Sequence, residues 1–215
     1  MTERGVTPLS LNPGEQLSEY LRKEMKVTAE TIEIVRYGLE VFLSTLGGIL
    51  AILVIGAIFR VVPEALAAVV AVAALRVFAG GAHCSTAVRC ALVSGLVFPG
   101  IGLLSRCIFS FLLPHMEVFL GGVFLVGLMS AYFLAPVDSP EKPIRTAQHR
   151  RRLRRLAMVT VLVLVSAIYV LFQTTPNAST LIVAAGFGLL WECFVLTSMG
   201  HKLIAFIDKG LAHFC

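Results

Sequence analysis

The chain has 215 residues, 57% of them hydrophobic and 14% charged, with a formal net charge of +5 and a mean hydropathy of +0.87. That balance excludes a soluble globular domain and reads as an all-α, polytopic membrane protein. The basic excess then belongs to membrane topology and anionic headgroups, because no basic stripe with interleaved aromatics points to nucleic acid.

In chain order, the first 38 residues are polar and lack the apolar core of a cleavable signal peptide. After a turn at Pro13 and Gly14, Leu17, Tyr20, Leu21, Met25, Val27, Ile32, Ile34 and Val35 recur at loosely helical spacing among Glu, Arg and Lys. This predicts an amphipathic helix at the membrane surface; the competing reading is a solvated connector, since the pattern fails near Lys26 to Glu30. Six apolar stretches follow: Leu39 to Phe59, Glu64 to Phe78, Ala91 to Leu113, Glu117 to Leu134, Leu156 to Phe172 and Thr180 to Met199. Pro63, Pro114 with His115, and Thr174 to Ser179 supply turns. The second stretch is Ala-rich and only about 15 residues long, barely enough for a ~30 Å hydrocarbon core. Pro99, Gly100 and Arg106 break into the third, and Gly121 and Gly122 in the fourth are placed to admit a neighbouring helix. Three regions result: an interfacial segment 1–38, a membrane domain 39–200 and a cytoplasmic tail 201–215.

Six crossings put both ends on one side, and the basic residues choose which. Lys and Arg number five before Leu39, two between 76 and 90, seven from Lys142 to Arg155 and two after Gly200, against only Arg60 and Arg106 elsewhere. The positive-inside rule makes the larger set cytoplasmic, so a multi-pass protein of a bacterial cytoplasmic membrane with both termini inside is expected.

Between the second and third apolar stretches, residues 76–90 form a polar island containing Arg76, Gly80, Gly81, His83, Cys84, Arg89 and Cys90. Ionisable groups so close to a span rarely lack a role. On one straight helix His83 and Cys90 would be separated by about 10.5 Å of rise, too far for proton transfer. Gly80 and Gly81 permit a bend that leaves His83 in a loop and Cys90 near the start of the next helix, with Ser85 or Thr86 as N-cap. A thiol placed there, beside Arg89 and an imidazole, is expected to ionise more readily than a free one and act as a nucleophile. The residues alone leave alternatives: both groups could be packing residues, Cys84 could be the nucleophile, or His83, Cys84 and Cys90 could ligate zinc. No paired C-x-x-C spacing favours a metal, and the five cysteines (84, 90, 107, 193, 215) show no disulfide framework.

The second informative stretch lies within 135–155. Pro136, Pro140 and Pro143 stiffen the connection after the fourth span and return Asp138 and Lys142 to the membrane face of the island. The run from Arg150 to Arg155 reads either as a topology determinant or as a binding surface for an acidic peptide.

With both stretches in hand, the chain resembles the accessory gene regulator B (AgrB) family of quorum-sensing membrane endopeptidases. The resemblance rests on Arg76, Ala79-Gly80-Gly81-Ala82-His83, Cys90, Ala135-Pro136, Asp138 and Lys142-Pro143. Cys84 and Pro140-Glu141 depart from the family pattern. The resemblance implies that Cys90 is the nucleophile and His83 its base, that Cys84 is a bystander, and that Arg76, Gly80, Gly81, Asp138, Lys142 and Pro143 support the site or the substrate. It implies a short AgrD-type precursor peptide as substrate, cut without cofactor or metal, with the lipid bilayer and a possible second copy of the chain as the other partners. The rival class is a small transporter or scaffold, for which broken helices with Gly, Pro and charge would mark a gate. The repeat symmetry expected of a transporter is missing between residues 39–113 and 117–199.

Overall fold

A computed structural model of the chain describes residues 29–82, 84–138, 146–175 and 179–212. They form seven α-helices: α1 (Ala29–Ile58), α2 (Val62–Ala79), α3 (Ala87–Leu112), α4 (Met116–Phe133), α5 (Ala147–Thr174), α6 (Ser179–Val195) and α7 (Ser198–Leu211), with a 3-10 turn at Leu113–His115. The expected all-α membrane architecture is what these residues adopt. Several helices are long and apolar enough to cross a bilayer.

The contacts fix the helix directions. α1 and α3 run parallel, since Gly47 faces Ala91 and Gly95 faces Ala51 and Ile55. α2 and α6 run parallel to each other and opposite to that pair: Glu64 meets Thr180 at one end, and Arg76 meets Glu192 at the other. α4 returns alongside α6, its Phe119 ring packed at a tilt against Phe187 at 5.3 Å between centroids, and α5 packs antiparallel to α4 through Gly127 and Val161. Successive segments from α1 to α6 therefore alternate in direction. The island 76–90, the 135–138 turn and the start of α5 gather at one end, and Glu64, Arg106 and Thr180 at the other.

α2 and α6 are the inner pair. Ala65, Ala68, Leu75 and Ala79 on α2 and Val183, Ala184 and Glu192 on α6 are fully buried. This explains why the second apolar stretch is Ala-rich: in hydrocarbon, small side chains let backbones approach closely and gain contact without a hydrophobic driving force between helices. The outer helices carry their large apolar side chains outward, Phe42, Leu96, Val118, Phe133 and Val163 among them, as a lipid-facing surface requires. At the tightest approach, a Cβ on Gly188 would stand 2.6 Å from the Ala68 carbonyl oxygen. Gly188→Ala must push α6 off α2, and a loss of about 1–3 kcal/mol is expected, read as a lower thermal midpoint in detergent.

Several local expectations are revised. Pro63 does not end a helix but lies in the first turn of α2, where its missing N–H has no partner to lose; α2 thus gains residues at both ends and has 18, about 27 Å of rise. α3 continues through Pro99 and Gly100. Gly121 and Gly122 have nothing within 4 Å of a built Cβ, so they admit no neighbour among the described residues. α1 runs without interruption through residues 38 and 39. The sixth stretch stops at Val195, and the chain then turns by 90° into α7, so most of the expected tail is a helix. The turn depends on glycine: Thr197 caps α7 by accepting from the Gly200 N–H at 3.0 Å, and a Cβ on Gly200 would collide with the Phe194 carbonyl.

Candidate active site

The chain between Gly80 and Cys90 is bent, as the glycines predict. α2 ends at Ala79; Gly80 (φ 75°) and Gly81 (φ 147°) take conformations that side chains resist, and α3 begins at Ala87. Gly80 is also sterically required. A Cβ on Gly80 would lie 2.8 Å from the Val137 carbonyl oxygen, and one on Gly81 would press on the Arg76 guanidinium and the Glu192 carboxylate.

Thr86 is the N-cap of α3, its hydroxyl accepting the Arg89 N–H at 3.4 Å. Ser85 instead accepts from the Arg89 side chain at 3.0 Å. Cys90 consequently sits in the first turn of α3, where unsatisfied N–H groups favour negative charge. The Cys84 thiol lies in the loop before α3, partly buried. The neighbouring Cys90 side chain, then burial, and then the charges of Cys90 and Asp208 push the Cys84 thiol well above the ordinary thiol range, against the opposing charge of Arg89. His83, between Ala82 and Cys84, lies outside the described residues, as do Lys142 and Pro143.

Three sets of contacts hold this loop. From within, Arg76 donates through Nε to the fully buried Glu192 at 3.2 Å and through Nη2 to the Ala82 carbonyl at 3.3 Å. From the side, the Val137 N–H donates to the Ala79 carbonyl at 2.9 Å. The turn bearing Val137 is itself gripped from α5: Arg150 bonds Asp138 at 2.9 Å, and Arg154 donates to the Ala135 carbonyl at 3.0 Å. From below, Asp208 of α7 accepts the Ser85 N–H at 3.1 Å and lies 3.7 Å from Arg89. Slight burial raises the Asp208 pKa, but Ser85 and Arg89 outweigh it and leave the carboxyl below its usual range, so this clasp is charged at neutral pH and loosens only as pH falls through that lowered value.

The sequence profile of the accessory gene regulator B family matches residues 15–196. The chain belongs to this family. Among AgrB relatives, it is 28% identical over 205 residues to an AgrB-like protein 2 of Clostridium perfringens strain 13, covering 92% of this chain and 96% of that one. It is 29% identical over 206 residues to an AgrB-like protein of C. perfringens strain SM101, with the same coverage. An AgrB-like protein of Listeria innocua is 25% identical over 170 residues, 79% of this chain and 78% of its own. No solved structure matches the chain. AgrB membership places the protein in the accessory gene regulator quorum-sensing system, at the membrane.

Around the AgrB motif, the structure brings together Arg76, Gly80, Gly81, Cys84, Cys90 and Asp138. It also adds groups that sequence reasoning missed. The carboxylate on Arg76 comes from Glu192, while Asp138 bonds Arg150. Glu192 had a signal, since a carboxylate within the apolar run from Thr180 to Met199 must find a partner. Arg150 and Arg154, expected as topology or substrate charges, hold the Pro136 turn. Cys84, expected to be a bystander, lies in the loop that leads to Cys90. Among the described residues no His, Cys, Asp and Glu converge in a set able to hold a metal.

Proposed function

We propose that this AgrB-family protein is a cysteine endopeptidase that removes the C-terminal tail of a short AgrD-type precursor, with Cys90 as nucleophile and His83 as base. The observation that carries the reading is Cys90 in the first turn of α3, facing a loop that α2, the Pro136 turn and α7 all brace. Bracing matters because a misplaced nucleophile loses rate steeply. The Cys90 thiolate attacks the carbonyl joining the precursor's middle to its tail, His83 delivers the proton to the departing amine, and a thioester remains on Cys90. A thiol of the precursor then displaces Cys90 and closes a thiolactone; one thioester replaces another, so this step needs no energy input. Forming the first thioester from an amide is uphill, and departure of the tail draws it forward.

In this reading six segments cross the cytoplasmic membrane, the end bearing the island, 135–155 and α7 faces the cytoplasm, and both termini lie there. The exposed arginines at the start of α5 attract an acidic tail. Co-expression with a short Cys-containing precursor encoded beside the gene, followed by mass analysis of the released tail, tests the proposal; an intact precursor at matched protein levels would overturn it.

Asp138 and Lys142 serve here as positioning residues. Asp138→Asn weakens the grip of Arg150 on the turn that holds Ala79, and a roughly 3–10-fold fall in cleavage is expected with normal membrane insertion, from a lost charge-assisted hydrogen bond of about 1 kcal/mol at an exposed pair. Lys142→Ala should act in the same direction. Wild-type cleavage rates in both variants would reduce the turn to a connector.

A further inference from the structure

We infer that α7 is an in-plane anchor: its uncovered apolar arc enters the acyl boundary of the leaflet at the island end, and Lys202 and Lys209 bind the anionic phospholipid headgroups there. The placing of the helix carries the first half of this. α6 runs beside α2 from the contact of Glu64 with Thr180 to that of Arg76 with Glu192, so it covers the same depth as α2, which is long and apolar enough to cross a bilayer. Where that depth ends, the chain turns by 90° and α7 begins, with only Leu196 and Thr197 between. Toward its other end, Asp208 accepts the Ser85 N–H at 3.1 Å and lies 3.7 Å from Arg89 in the first turn of α3. Both ends of α7 are thus tied to a terminus of a bundle helix, and its axis lies along the bilayer surface.

The distribution of its side chains carries the second half. At 3.6 residues per turn, Phe206, Met199 and Leu203 fall side by side within about 60° of the circumference. The protein leaves them uncovered: Met199 is 74% exposed and Phe206 75%, whereas Ile204, on the side packed against the bundle, is 5% exposed. A helix held flat at the surface puts such an arc either into water or into lipid, and removing three large apolar side chains from water favours lipid. Lys202 and Lys209, both exposed, border the arc at its Phe206 edge, and the only acid of α7, Asp208, is turned away to the clasp. Lysines so placed lay their stems on the apolar surface and raise their ammonium groups among the headgroups, where they attract negatively charged lipid. Lipid that seats α7 also steadies, through Asp208, the loop that leads to Cys90; any effect on cleavage rests on the peptidase reading.

The test places single tryptophans on α7 of the full chain in vesicles of phosphatidylcholine with phosphatidylglycerol, and compares quenching by acyl-brominated lipid with quenching by acrylamide in the water. Trp191, the one tryptophan of the chain, is replaced by Phe. The same positions are also read as differences against the chain that keeps Trp191, so a fold disturbed by Trp191→Phe does not decide the outcome. Brominated lipid should quench Phe206→Trp at least about threefold more than Ala205→Trp, which lies on the polar side of the helix and should respond to acrylamide instead. At equal mole fraction, brominated phosphatidylglycerol should quench Phe206→Trp at least about twofold more than brominated phosphatidylcholine, and the added pair Lys202→Gln, Lys209→Gln should abolish that difference. Quenching of Phe206→Trp by acrylamide alone would put the arc in water, and quenching by neither reagent would mean that protein, such as a second copy, covers it. Equal lipid quenching at both positions would remove the oriented arc, and equal quenching by the two lipids would remove the anionic preference. Each of these four results overturns the inference. No substrate is present, so lipid contact in a protein that cuts no precursor would sustain the anchor and defeat the peptidase reading, whereas cleavage without lipid contact would do the reverse.

Discussion

Cys90→Ala is expected to abolish release of the precursor tail, and His83→Ala to do the same, each by at least about 10³-fold, because the groups of a nucleophile and base act as a unit and removal of either leaves only binding. Cys84→Ala should retain most cleavage under reducing conditions. The contrast is informative because Cys84 and Cys90 lie on the same short stretch at the start of α3: a general disturbance there would affect both substitutions alike, whereas loss of the attacking sulfur affects only one. Co-expression of each variant with the precursor, normalised to membrane protein and read by mass analysis, supplies the comparison. Cleavage by Cys90→Ala at the wild-type rate would remove this thiol from the chemistry.

The second large effect should come from Arg76→Met. Glu192 is fully buried and receives Arg76 at 3.2 Å, so the substitution strips the cation from a carboxylate held in the apolar interior, at an expected cost of about 3–5 kcal/mol. The double variant Arg76→Met, Glu192→Leu removes both charges and should regain most of that stability, as paired replacements of buried ions often do. It should still cleave poorly, because the bond from Arg76 to the Ala82 carbonyl, next to His83, is gone as well. Thermal unfolding in detergent measures the first effect and precursor cleavage the second. A single variant as stable as the wild type would show that the pair contributes little, and a fully active double variant would make Arg76 purely structural.

Local signals are legible in the sequence and distant partnerships are not. The island announces itself because polar residues interrupt apolar runs, and its bend because Gly80 and Gly81 are adjacent. Thr86 is one of two candidate caps; spacing does not exclude Ser85, which the structure gives to Arg89 and Asp208. Pro63 reads as a turn because proline ends a helix, yet it equally suits a helix's first turn, and only the flanking backbone tells which. Gly121 and Gly122 look like contact glycines, but the contacts fall at Gly95, Gly127 and Gly188, since a small residue states that a close approach is possible without naming the neighbour. The partners of Arg76 and Ser85 lie 116 and 123 residues away. That pairing is a property of the packed bundle, and neither composition nor periodicity contains it.

The docking of α7 bears on how the protein can be handled. A stretch that reads as a cytoplasmic tail carries a clasp: Asp208 accepts the Ser85 amide, next to Cys84, and stands beside Arg89, next to Cys90. Truncation before Ser198 would discard that clasp, and a bulky reporter fused directly after Leu211 would pull on it. Inactivity in a carboxy-terminally tagged preparation would therefore say more about the tag than about the chemistry.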